Sequence, residues 1–523
     1  MASIFGSAAR IGCAVFLMVS LAACASAPSN APRLKGRLFV DGLDVDMTHT
    51  VLLKGFGIIE DRSYEEPDID KLFIAGIENF KTLDPALSAT VENDHVFLTY
   101  NETHVADLGP ASKHDISQWS ISTIRGLIVA RKLSKPLKEA GAEAMYKAMF
   151  SGALALVDPF SRYASYKDAI KYRLLRDGVI GLGVRFEHSE EGPIVQAIVD
   201  AGPGWDAGLR IYDKIMSANG VSLAGMTLSE ARRRLDGAQG TTLDLIVKRP
   251  GAREPLKMTA ALDGVFPDTV TREITDGVLV LRIRSFTQRT AQNVRQAVMA
   301  AGNQTKGIVL DLRGDPGGLL DQAVAVADLF LETGTIATLH GRHPGANQFY
   351  GADREDISGG LPLAVMIDGK SASAAEIVAA ALQDNGRAAI IGTVSWGKGS
   401  VQTLQKLPNG GEIAITWARV QMPRGVALHG LGLMPDVCLS GSAPTADEVI
   451  GKLGSDSINE IRRQWRDAQD SSDVHEVLRL ACPPELHADH PLDLEIARRI
   501  VADRSLYAQA TFMVEAPQLA LKP

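Results

Sequence analysis

The sequence predicts an α/β protein whose central sheet is mostly parallel and lies within residues 263–440. In this stretch, near-continuous apolar segments such as GVLVLRI and LPLAVMID alternate with helical segments, a pattern typical of strands that are buried on both faces. A glycine-rich segment of short strands, residues 178–262, precedes it. Helical sequence occupies much of residues 33–177 and 441–523. We therefore expect a small β domain followed by a larger α/β domain, with an extension at each end.

Length, composition and charge indicate a globular protein. The chain has 523 residues, of which 46% are apolar and 22% are charged, and this length suffices for about three or four domains. The formal net charge is −8, and no long basic run is present. The sequence therefore gives no reason to expect a nucleic-acid partner.

Residues 1–23 are predicted to be a secretory signal peptide. Arg10 precedes the apolar run IGCAVFLMVSLAAC, which is too short to span a membrane. Its ending, LAAC, resembles the lipobox of bacterial lipoproteins. That resemblance implies a lipid on Cys24, a tether over residues 24–32, and a membrane anchor on the periplasmic side of the bacterial cell envelope. An ordinary signal cut near ACASA, which leaves a freely soluble protein, is the alternative.

Cys438 and Cys482 follow Cys24 in the sequence. Export to an oxidising compartment would allow them to pair, and two separate buried thiols are an equally acceptable interpretation. Two cysteines do not define a disulfide framework, so both interpretations stay open.

Residues 33–177 combine strand-like pieces such as HVFLTY with amphipathic helical stretches. Two of these stretches, DIDKLFIAGIENFKTLDP and AEAMYKAMFSGALALVDPFSRY, share a glycine and a later Asp-Pro pair, which is a weak internal repeat. We expect both to pack helices against a core and to end them at the Asp-Pro pairs. Residues 441–523 are charged and helical, and we identify no chemistry in them.

Residues 178–262 are predicted to form short strands around one helix. The segments GVIGLGVRFE, GPIVQAIV and TTLDLIVKR have the pattern of strands, and Asn219-Gly220 marks a turn. Thr227 is expected to cap the helix LSEARRRL, with Glu230 in the reciprocal position of a capping box.

This segment resembles a PDZ domain. The residues that carry the likeness are Gly181, Leu182, Gly183 and Val184, the AGL at 207–209, and Asp213. The resemblance implies that the C-terminus of a polypeptide adds as a strand beside the sheet, while N–H groups of the glycine loop hold its carboxylate. Tyr212 and Gly204-Trp205 depart from the family pattern, which leaves the preference of the groove open. A small β domain that serves only in packing is the alternative.

The segment GTVSWGKGS can be compared with a phosphate-binding loop. Gly392, Gly397 and Lys398 satisfy the pattern GxxxxGK. Gly399, however, stands where the hydroxyl that ligates magnesium belongs, and strand-like sequence follows where a helix must start. The acid of GIVLD also precedes the loop in the sequence. These departures disfavour nucleotide binding.

Lys398 is better interpreted as a general base for a serine. Ser371 and Ser373 precede an alanine-rich helical run, and a serine hydroxyl is a weak nucleophile until a base takes its proton. Lysine can be that base if burial lowers its pKa from ~10.4 towards ~7 to 8. Two glycines flank Lys398 closely, and we expect Trp396 to give it apolar cover.

Ser373 is better placed for attack than the other serine. It lies at the predicted N-terminus of a helix, where the N–H of Ala374 can stabilise an oxyanion, and it also fits a capping box with Glu376. The loop DLRGDPGG can supply a second N–H donor where Gly317-Gly318 opens a helix. Taken alone, the same loop is equally well explained as a tight turn between strand and helix.

Histidine-based and metal-based chemistry fit the sequence less well. His429 and Asp436 follow the serine and could join it in a Ser-His-Asp triad, but no nucleophile elbow of the GxSxG type is present. The sequences HGRH at 340–343 and HADH at 487–490 lack the glutamate and the helical context of a zinc protease. We expect these to be surface histidines, and we predict no metal and no other cofactor.

Several ordered motifs together resemble the carboxy-terminal processing peptidases, also called tail-specific proteases. SASAAEI, LQDNGRA, GKGSVQ and LGLMPDV follow DLRGDPGG and the PDZ-like segment, so the likeness covers residues 120–440. It implies a crotonase-like ββα protease core preceded by a PDZ domain. It also implies that Ser373 is the nucleophile, Lys398 its base, and Gln402 the residue that orients the lysine. Positions four apart on a strand face the same side, so the last two can meet.

By the same resemblance, the oxyanion donors are Ala374 and one of Gly317 or Gly318. Asp315 stands where the family commonly has asparagine, and a carboxylate there would weaken the oxyanion hole unless it points to solvent. Asp384 corresponds to an acid that some members need. Because QDNG is also a plain helix C-cap, we favour a structural role for it.

The predicted function is that of an exported, lipid-anchored serine endopeptidase. Its substrates would be polypeptides with apolar C-termini, which the PDZ domain engages before an acyl-enzyme forms on Ser373. An adaptor or self-association can accompany this activity. The alternative is a catalytically silent protein that binds peptides through its PDZ domain and uses the protease core as a scaffold.

Overall fold

The computed structural model describes residues 38–511 with the exception of positions 41, 113–114, 200–201, 267–268, 303–304, 442–444, 454, 467–471 and 488. The predicted signal peptide, Cys24 and the tether lie outside the described residues. Of the helices in the described part, none is both long enough and apolar enough to cross a membrane.

Residues 38–177 form helices and a small antiparallel sheet. The elements are β1 (Phe39–Val40), β2 (Leu43–Asp44), α1 (Val45–Arg62), α2 (Ile69–Glu78), β3 (Leu87–Glu92), β4 (His95–Tyr100), β5 (Thr103–Pro110), α3 (Ile116–Leu133), α4 (Lys135–Glu139), α5 (Ala142–Leu154), β6 (Arg162–Ala164) and α6 (Tyr166–Asp177). Strands β3, β4 and β5 pair in that order. Fully buried aromatic side chains, among them Phe56, Phe73, Trp119 and Phe150, fill the core between the helices, where each removes a large apolar area from water.

The two halves of the weak repeat pack directly against each other. Gly76 of α2 and Gly152 of α5 lie at the contact, and an added Cβ would stand 2.7 Å and 2.4 Å, respectively, from a main-chain oxygen of the other helix. Glycine therefore permits a close approach that any side chain would prevent. After α5, Asp158 accepts the N–H groups of Phe160 at 2.7 Å and Ser161 at 2.9 Å, and this turn directs the chain towards the large domain.

Residues 178–262 and their flanks form the small β domain. The elements are β7 (Val179–Gly181), β8 (Val184–Glu187), β9 (Ile194–Ile198), α7 (Pro203–Asp206), β10 (Lys214–Ala218), β11 (Val221–Ser222), α8 (Leu228–Leu235), β12 (Thr242–Lys248), β13 (Leu256–Ala261) and β14 (Asp263–Val265). The main sheet has the order β13-β12-β10-β9-β8, and β7 pairs with β14 as a stem. The capping box is confirmed: the Thr227 N–H donates to Glu230 at 2.9 Å, and the Glu230 N–H donates to the Thr227 hydroxyl at 3.3 Å.

The large domain confirms the predicted α/β architecture. Its elements are β15 (Val270–Thr275), β16 (Val278–Ile283), α9 (Thr290–Ala301), β17 (Gly307–Asp311), α10 (Leu320–Asp328), β18 (Thr335–His340), β19 (Gln348–Gly351), β20 (Leu363–Ile367), α11 (Ala374–Asp384), β21 (Ala389–Gly392), β22 (Ser400–Lys406), β23 (Glu412–Gln421) and β24 (Val437–Cys438). The order of the first sheet is β15-β16-β17-β20-β21-β24, parallel from β16 onwards. The carboxyl ends of its parallel strands lie at one edge, which is the usual place for a site in such sheets.

A second, antiparallel sheet joins the large domain to the N-terminal part. Its order is β19-β18-β23-β22, and β6 pairs with β23. Helix α11 is buried from Ala374 to Leu382 and packs in the core that both sheets line. Because α11 is surrounded by apolar side chains, its N-terminus is held in one place.

The described residues after β24 form the helices α12 (Ala446–Ile450), α13 (Asp456–Arg466), α14 (Ser472–Arg479), α15 (Pro491–Ala502) and α16 (Arg504–Ala510). Of these, α12, α15 and α16 cover the other face of the parallel sheet, whereas Trp465 of α13 belongs to the core between the two sheets. Apolar residues of α15, such as Ile496 and Ile500, pack on Val309, Met366 and Ile391 of the sheet. This packing buries a face that would otherwise be apolar and exposed.

Cys438 and Cys482 form a disulfide, with an S–S distance of 2.02 Å and a sequence separation of 44. Of the two interpretations left open by the sequence, the paired one is therefore correct. The bond joins the end of β24 to the segment between α14 and α15, and so it fastens the C-terminal helices to the parallel sheet.

Replacing both cysteines by serine should lower the free energy of unfolding by about 2–4 kcal/mol, because the disulfide restricts a long loop in the unfolded chain. Denaturant unfolding of the two proteins measures the difference. A reductant should destabilise the parent and leave the double-serine variant unchanged. Equal sensitivity of both proteins to the reductant would contradict this expectation.

Candidate active site

The chain turns sharply at Ser373, between β20 and α11. Ser373 adopts φ +56° and ψ −114°, a conformation that residues with a side chain rarely occupy and that costs about 1–3 kcal/mol. Ala374, the next residue, begins α11. Such strain persists only where the surrounding contacts impose it, and it is concentrated at functional sites.

The two serines of the SAS sequence have different surroundings. Ser371 is fully buried; its hydroxyl donates to the Leu312 carbonyl oxygen at 2.8 Å and accepts the Asp368 N–H at 2.9 Å. Ser373 instead lines an open cavity of about 410 Å³. Ser371 therefore holds the loop, and Ser373 is accessible to a ligand.

The same cavity brings together the residues predicted for catalysis and for oxyanion binding. They are Ser373, Lys398, Gln402, Ala374, Gly317 and Gly318. They come from four places in the sequence: the start of α11, the loop before β22, β22 itself, and the loop between β17 and α10.

Glu376 connects the loop of Ser373 with the loop of Lys398. Its carboxyl group is fully buried and accepts the N–H groups of Ser373 at 2.7 Å, Gly397 at 2.7 Å and Lys398 at 2.9 Å. The Ser395 hydroxyl donates to it as well. Burial raises the pKa of Glu376, and these hydrogen bonds oppose the rise.

The role of Glu376 was missed by sequence reasoning. The capping-box spacing showed that its carboxyl could reach the Ser373 N–H, and the structure has that bond. The other donors lie about twenty residues further along the chain, and no local pattern indicates them. One carboxyl group therefore holds both candidate catalytic residues by their main chains.

The Lys398 amine lies in surroundings that favour its neutral form. Burial lowers its pKa, the nearby positive charge of Arg162 lowers it further, and Glu376 and Asp158 oppose the shift. A lysine whose pKa falls below 10.5 can accept a proton at lower pH than a free amine.

Phe160 supplies the apolar cover that the sequence analysis assigned to Trp396. The Lys398 Nζ lies 5.3 Å from the centre of the Phe160 ring, whereas Trp396 is 57% exposed. The prediction for Trp396 was wrong because sequence proximity does not determine which side chain packs over the amine. Phe160 comes from the Asp158 turn of the N-terminal part.

The glycine loop offers one free N–H, not two. Gly317 adopts φ +94°, and a Cβ there would lie 2.9 Å from the Ser373 Cβ, so only glycine fits this close approach. Its N–H donates to Asp315 Oδ1 at 2.7 Å. Among the described residues the N–H groups of Gly318 and Ala374 have no acceptor, which makes these two the available donors for an oxyanion.

Asp315 does not point to solvent. It is fully buried, and burial raises its pKa to about 8, against a lowering effect of the Gly317 N–H. The raised pKa favours the protonated, uncharged carboxyl group at neutral pH. The loop can tolerate this residue because a neutral acid does not repel a developing oxyanion, which removes the conflict that the sequence suggested.

Gln402 lines the cavity but contacts other residues. Its side-chain amide donates to the hydroxyls of Ser400 at 3.0 Å and Thr416 at 3.2 Å. Among the contacts of the described residues, none joins it to Lys398. The same-side argument assumed a regular strand, but β22 begins only at Ser400 and its pairing with β23 is irregular beside Gln402.

His429 and Asp436 have separate environments. His429 lines a neighbouring cavity with Phe160 and not the cavity of Ser373. Asp436 is buried and accepts the Ile390 N–H at 2.7 Å and a hydrogen bond from Arg462. Asp384, at the far end of α11 from Ser373, accepts the Arg424 N–H at 3.3 Å and lies outside the Ser373 cavity.

The expectation of surface histidines was wrong for His487, which is only 7% exposed. Among the described residues, His487, His490 and Asp493 each bring a potential ligand atom within 4.8 Å of the others. The Asp493 carboxylate, however, already contacts His487 Nδ1 at 3.1 Å and Arg313 Nη1 at 3.3 Å. His487 is therefore buried because it pairs with Asp493, which also binds Arg313.

The segment of residues 479–487, which we call the C-terminal brace, contacts both the loop before Ser373 and the loop before Lys398. Glu485 O accepts the Gly369 N–H at 2.7 Å, and the His487 N–H donates to Asp368 at 3.1 Å. On the lysine side, Arg479 donates to the Ser395 carbonyl oxygen at 3.0 Å. The disulfide at Cys482 lies within this segment.

The predicted peptide-binding residues lie together elsewhere. Gly181, Leu182, Gly183 and Val184 line a second cavity of about 400 Å³, between β8 and α8. The predicted catalytic residues and the predicted peptide-binding residues thus lie at separate openings, one at Ser373 and one in the small β domain.

Comparison with known proteins agrees with this division. Residues 277–439 match the model of peptidase family S41, and residues 181–259 match that of the PDZ domain. A solved structure, of a photosystem II D1 C-terminal processing protease, is 22% identical and covers 79% of this chain and 98% of its own, with a TM-score of 0.39; a TM-score this low supports no inference.

Curated relatives are more informative. The carboxy-terminal-processing protease of Bartonella bacilliformis is 34% identical over 367 residues, which are 66% of this chain and 84% of the relative. The carboxy-terminal processing protease CtpA of Bacillus subtilis is 30% identical over 286 residues, 54% of this chain and 61% of the relative. The chain therefore belongs to the carboxy-terminal processing proteases of peptidase family S41 and is a serine-type peptidase with a PDZ domain.

Proposed function

We propose that the protein is an exported endopeptidase that cleaves polypeptides with a Ser373-Lys398 dyad, after its PDZ domain has engaged their C-termini. The observation that carries the proposal is that the Glu376 carboxyl group accepts the main-chain N–H groups of both Ser373 and Lys398. It fixes the nucleophile and the base relative to each other at one cavity.

In the proposed reaction, the Ser373 Oγ attacks the carbonyl carbon of the scissile bond while the neutral Lys398 amine takes the hydroxyl proton. The carbonyl oxygen becomes an oxyanion, which the N–H groups of Ala374 and Gly318 stabilise. When the intermediate collapses, the C–N bond breaks and Lys398 returns the proton to the leaving amine.

The acyl-enzyme is then hydrolysed by the same groups. Water loses a proton to Lys398 and attacks the ester carbon, and the second oxyanion forms in the same place. Collapse breaks the ester bond, and the proton passes to Ser373 Oγ. Gln402 would act on the strand beside the lysine, through its hydrogen bonds to Ser400 and Thr416, instead of binding the amine directly.

A PDZ domain that only packs, or a silent core that serves as a scaffold, would not require the features of the Ser373 cavity. Acyl transfer would use the strained φ of Ser373, the lowered pKa of Lys398 and the two N–H groups that have no acceptor among the described residues. We therefore favour the peptidase over the silent binding protein.

We further propose that the chain is exported and carries a lipid on Cys24. The apolar run that ends in LAAC supports this proposal, as does the disulfide, since such bonds persist in oxidising compartments. Mass spectrometry of the mature N-terminal peptide should find Cys24 as a diacylated first residue. An unmodified peptide that begins beyond Cys24 would contradict the lipid anchor.

Ser373→Ala and Lys398→Ala should each lower the rate of cleavage of an unfolded protein with an apolar C-terminus by at least about a thousandfold, because nucleophile and base act as one unit. Product formation followed by mass spectrometry measures the loss. Lys370→Ala is the control for Lys398→Ala, because Lys370 is exposed and does not line the Ser373 cavity; it should keep the parent's rate. Cleavage that survives Ser373→Ala would overturn the dyad.

The dependence of kcat/KM on pH should have two limbs. Activity rises with pH as Lys398 loses its proton, and this limb lies below the ordinary lysine value of 10.5 because the pKa of Lys398 is lowered. Activity falls above about pH 8, where Asp315 ionises beside the oxyanion loop. Asp315→Asn keeps an acceptor for the Gly317 N–H and cannot ionise, so it should lose the falling limb. An unchanged fall in this variant would contradict the role given to Asp315.

A further inference from the structure

The groove of the PDZ domain combines an open strand edge with a helix. Strand β8 is the last strand of its sheet, β13-β12-β10-β9-β8, so its outer edge is free to pair with an added strand. Helix α8 forms the opposite wall, and residues 181–184 close one end. A polypeptide C-terminus that pairs antiparallel to β8 places its carboxylate at that end.

The floor of the groove at this end is apolar. Leu182 and Leu235 are 4% and 3% exposed and belong to the core of the domain, and Ile198 lies beside them. The last side chain of a bound polypeptide therefore meets an apolar surface, which agrees with substrates that end in apolar residues.

The rim of the same groove carries positive charge. Arg232 of α8 and Arg185 of β8 line it and are exposed, and neither has a hydrogen-bond or ion-pair partner among the described residues. Asp236 also lines the groove, so the charged side chains around it sum to one positive charge.

The two arginines lie upstream of the apolar end. Arg232 precedes Leu235 by three residues and so shares its face of the helix one turn nearer the start of α8. Arg185 alternates with the inward side chains of Val184 and Phe186 along β8 and therefore lies on the other side of the strand. The side chains of an added strand alternate in direction, so those that face α8 would pass Arg232 and those that face the other way would pass Arg185.

We propose that this groove selects polypeptides whose last residue is apolar and whose preceding two or three residues are acidic. The inference rests on the proposed function, and it names the substrate class for the same protease. Carboxylates of such a polypeptide would pair with the guanidinium groups of Arg232 and Arg185, which are well suited to bind them.

The test measures binding and not cleavage, with the full chain carrying Ser373→Ala. Fluorescence anisotropy compares three labelled peptides that share an apolar last residue and carry aspartate, alanine or lysine at the preceding two positions. The aspartate peptide should bind at least about threefold more tightly than the alanine peptide and about tenfold more tightly than the lysine peptide. Higher salt should reduce the difference.

Arg232→Glu should reverse the order of the aspartate and lysine peptides. Arg234→Glu is the matched control: it makes the same charge change on the same helix, about 200° around the axis, and Arg234 does not line the groove. It should keep the parent's order of affinities.

The outcomes separate two kinds of failure. Equal affinities of the three peptides, or the same reversal in Arg234→Glu, would overturn the acidic preference and leave the PDZ proposal intact. Absence of binding to all three would overturn the proposal that the PDZ domain engages C-termini. Neither result alters the role of Ser373, which the cleavage experiment tests separately.

Discussion

The buried carboxyl group of Glu376 is the contact on which the site depends. It accepts main-chain N–H groups from both the serine loop and the lysine loop, and each such group left unsatisfied in the interior would cost about 1–3 kcal/mol. The two loops therefore keep one relative position. That position brings Ser373, with its strained backbone, and Lys398 to the same cavity, so the geometry of the candidate site depends on one side chain that does not react in the proposed mechanism.

Segments on both the N-terminal and the C-terminal side of the large domain support this arrangement. From the N-terminal side, the turn held by Asp158 brings Phe160 over the Lys398 amine. From the C-terminal side, the brace binds the loop before Ser373 through Glu485 and the loop before Lys398 through Arg479. The disulfide fastens the brace to the sheet, so the extensions are structural parts of the active site and not appendages.

Local patterns predicted what depends on neighbours in the sequence. The parallel sheet, the Thr227 capping box and the placement of Ser373 at a helix start follow from periodicity and capping, which act over a few residues. Contacts between distant segments were not predictable in this way. Phe160, and not Trp396, lies over the Lys398 amine. Gln402 binds Thr416 beside an irregularity of the sheet, and Glu376 reaches the lysine loop. Tertiary packing determines each of these three contacts. The buried state of Asp315 likewise depends on the loops that enclose it.

If Glu376 activates the site by holding two loops together, its replacement should slow the reaction of Ser373 with a fluorophosphonate. Glu376→Gln keeps the size of the side chain but replaces one acceptor oxygen by a donor, which would face an N–H group. We expect labelling of Ser373 to be at least about tenfold slower in the variant, with peptide affinity of the PDZ groove unchanged as evidence of intact folding. Labelling of Ser373 at the parent's rate would contradict this role of Glu376.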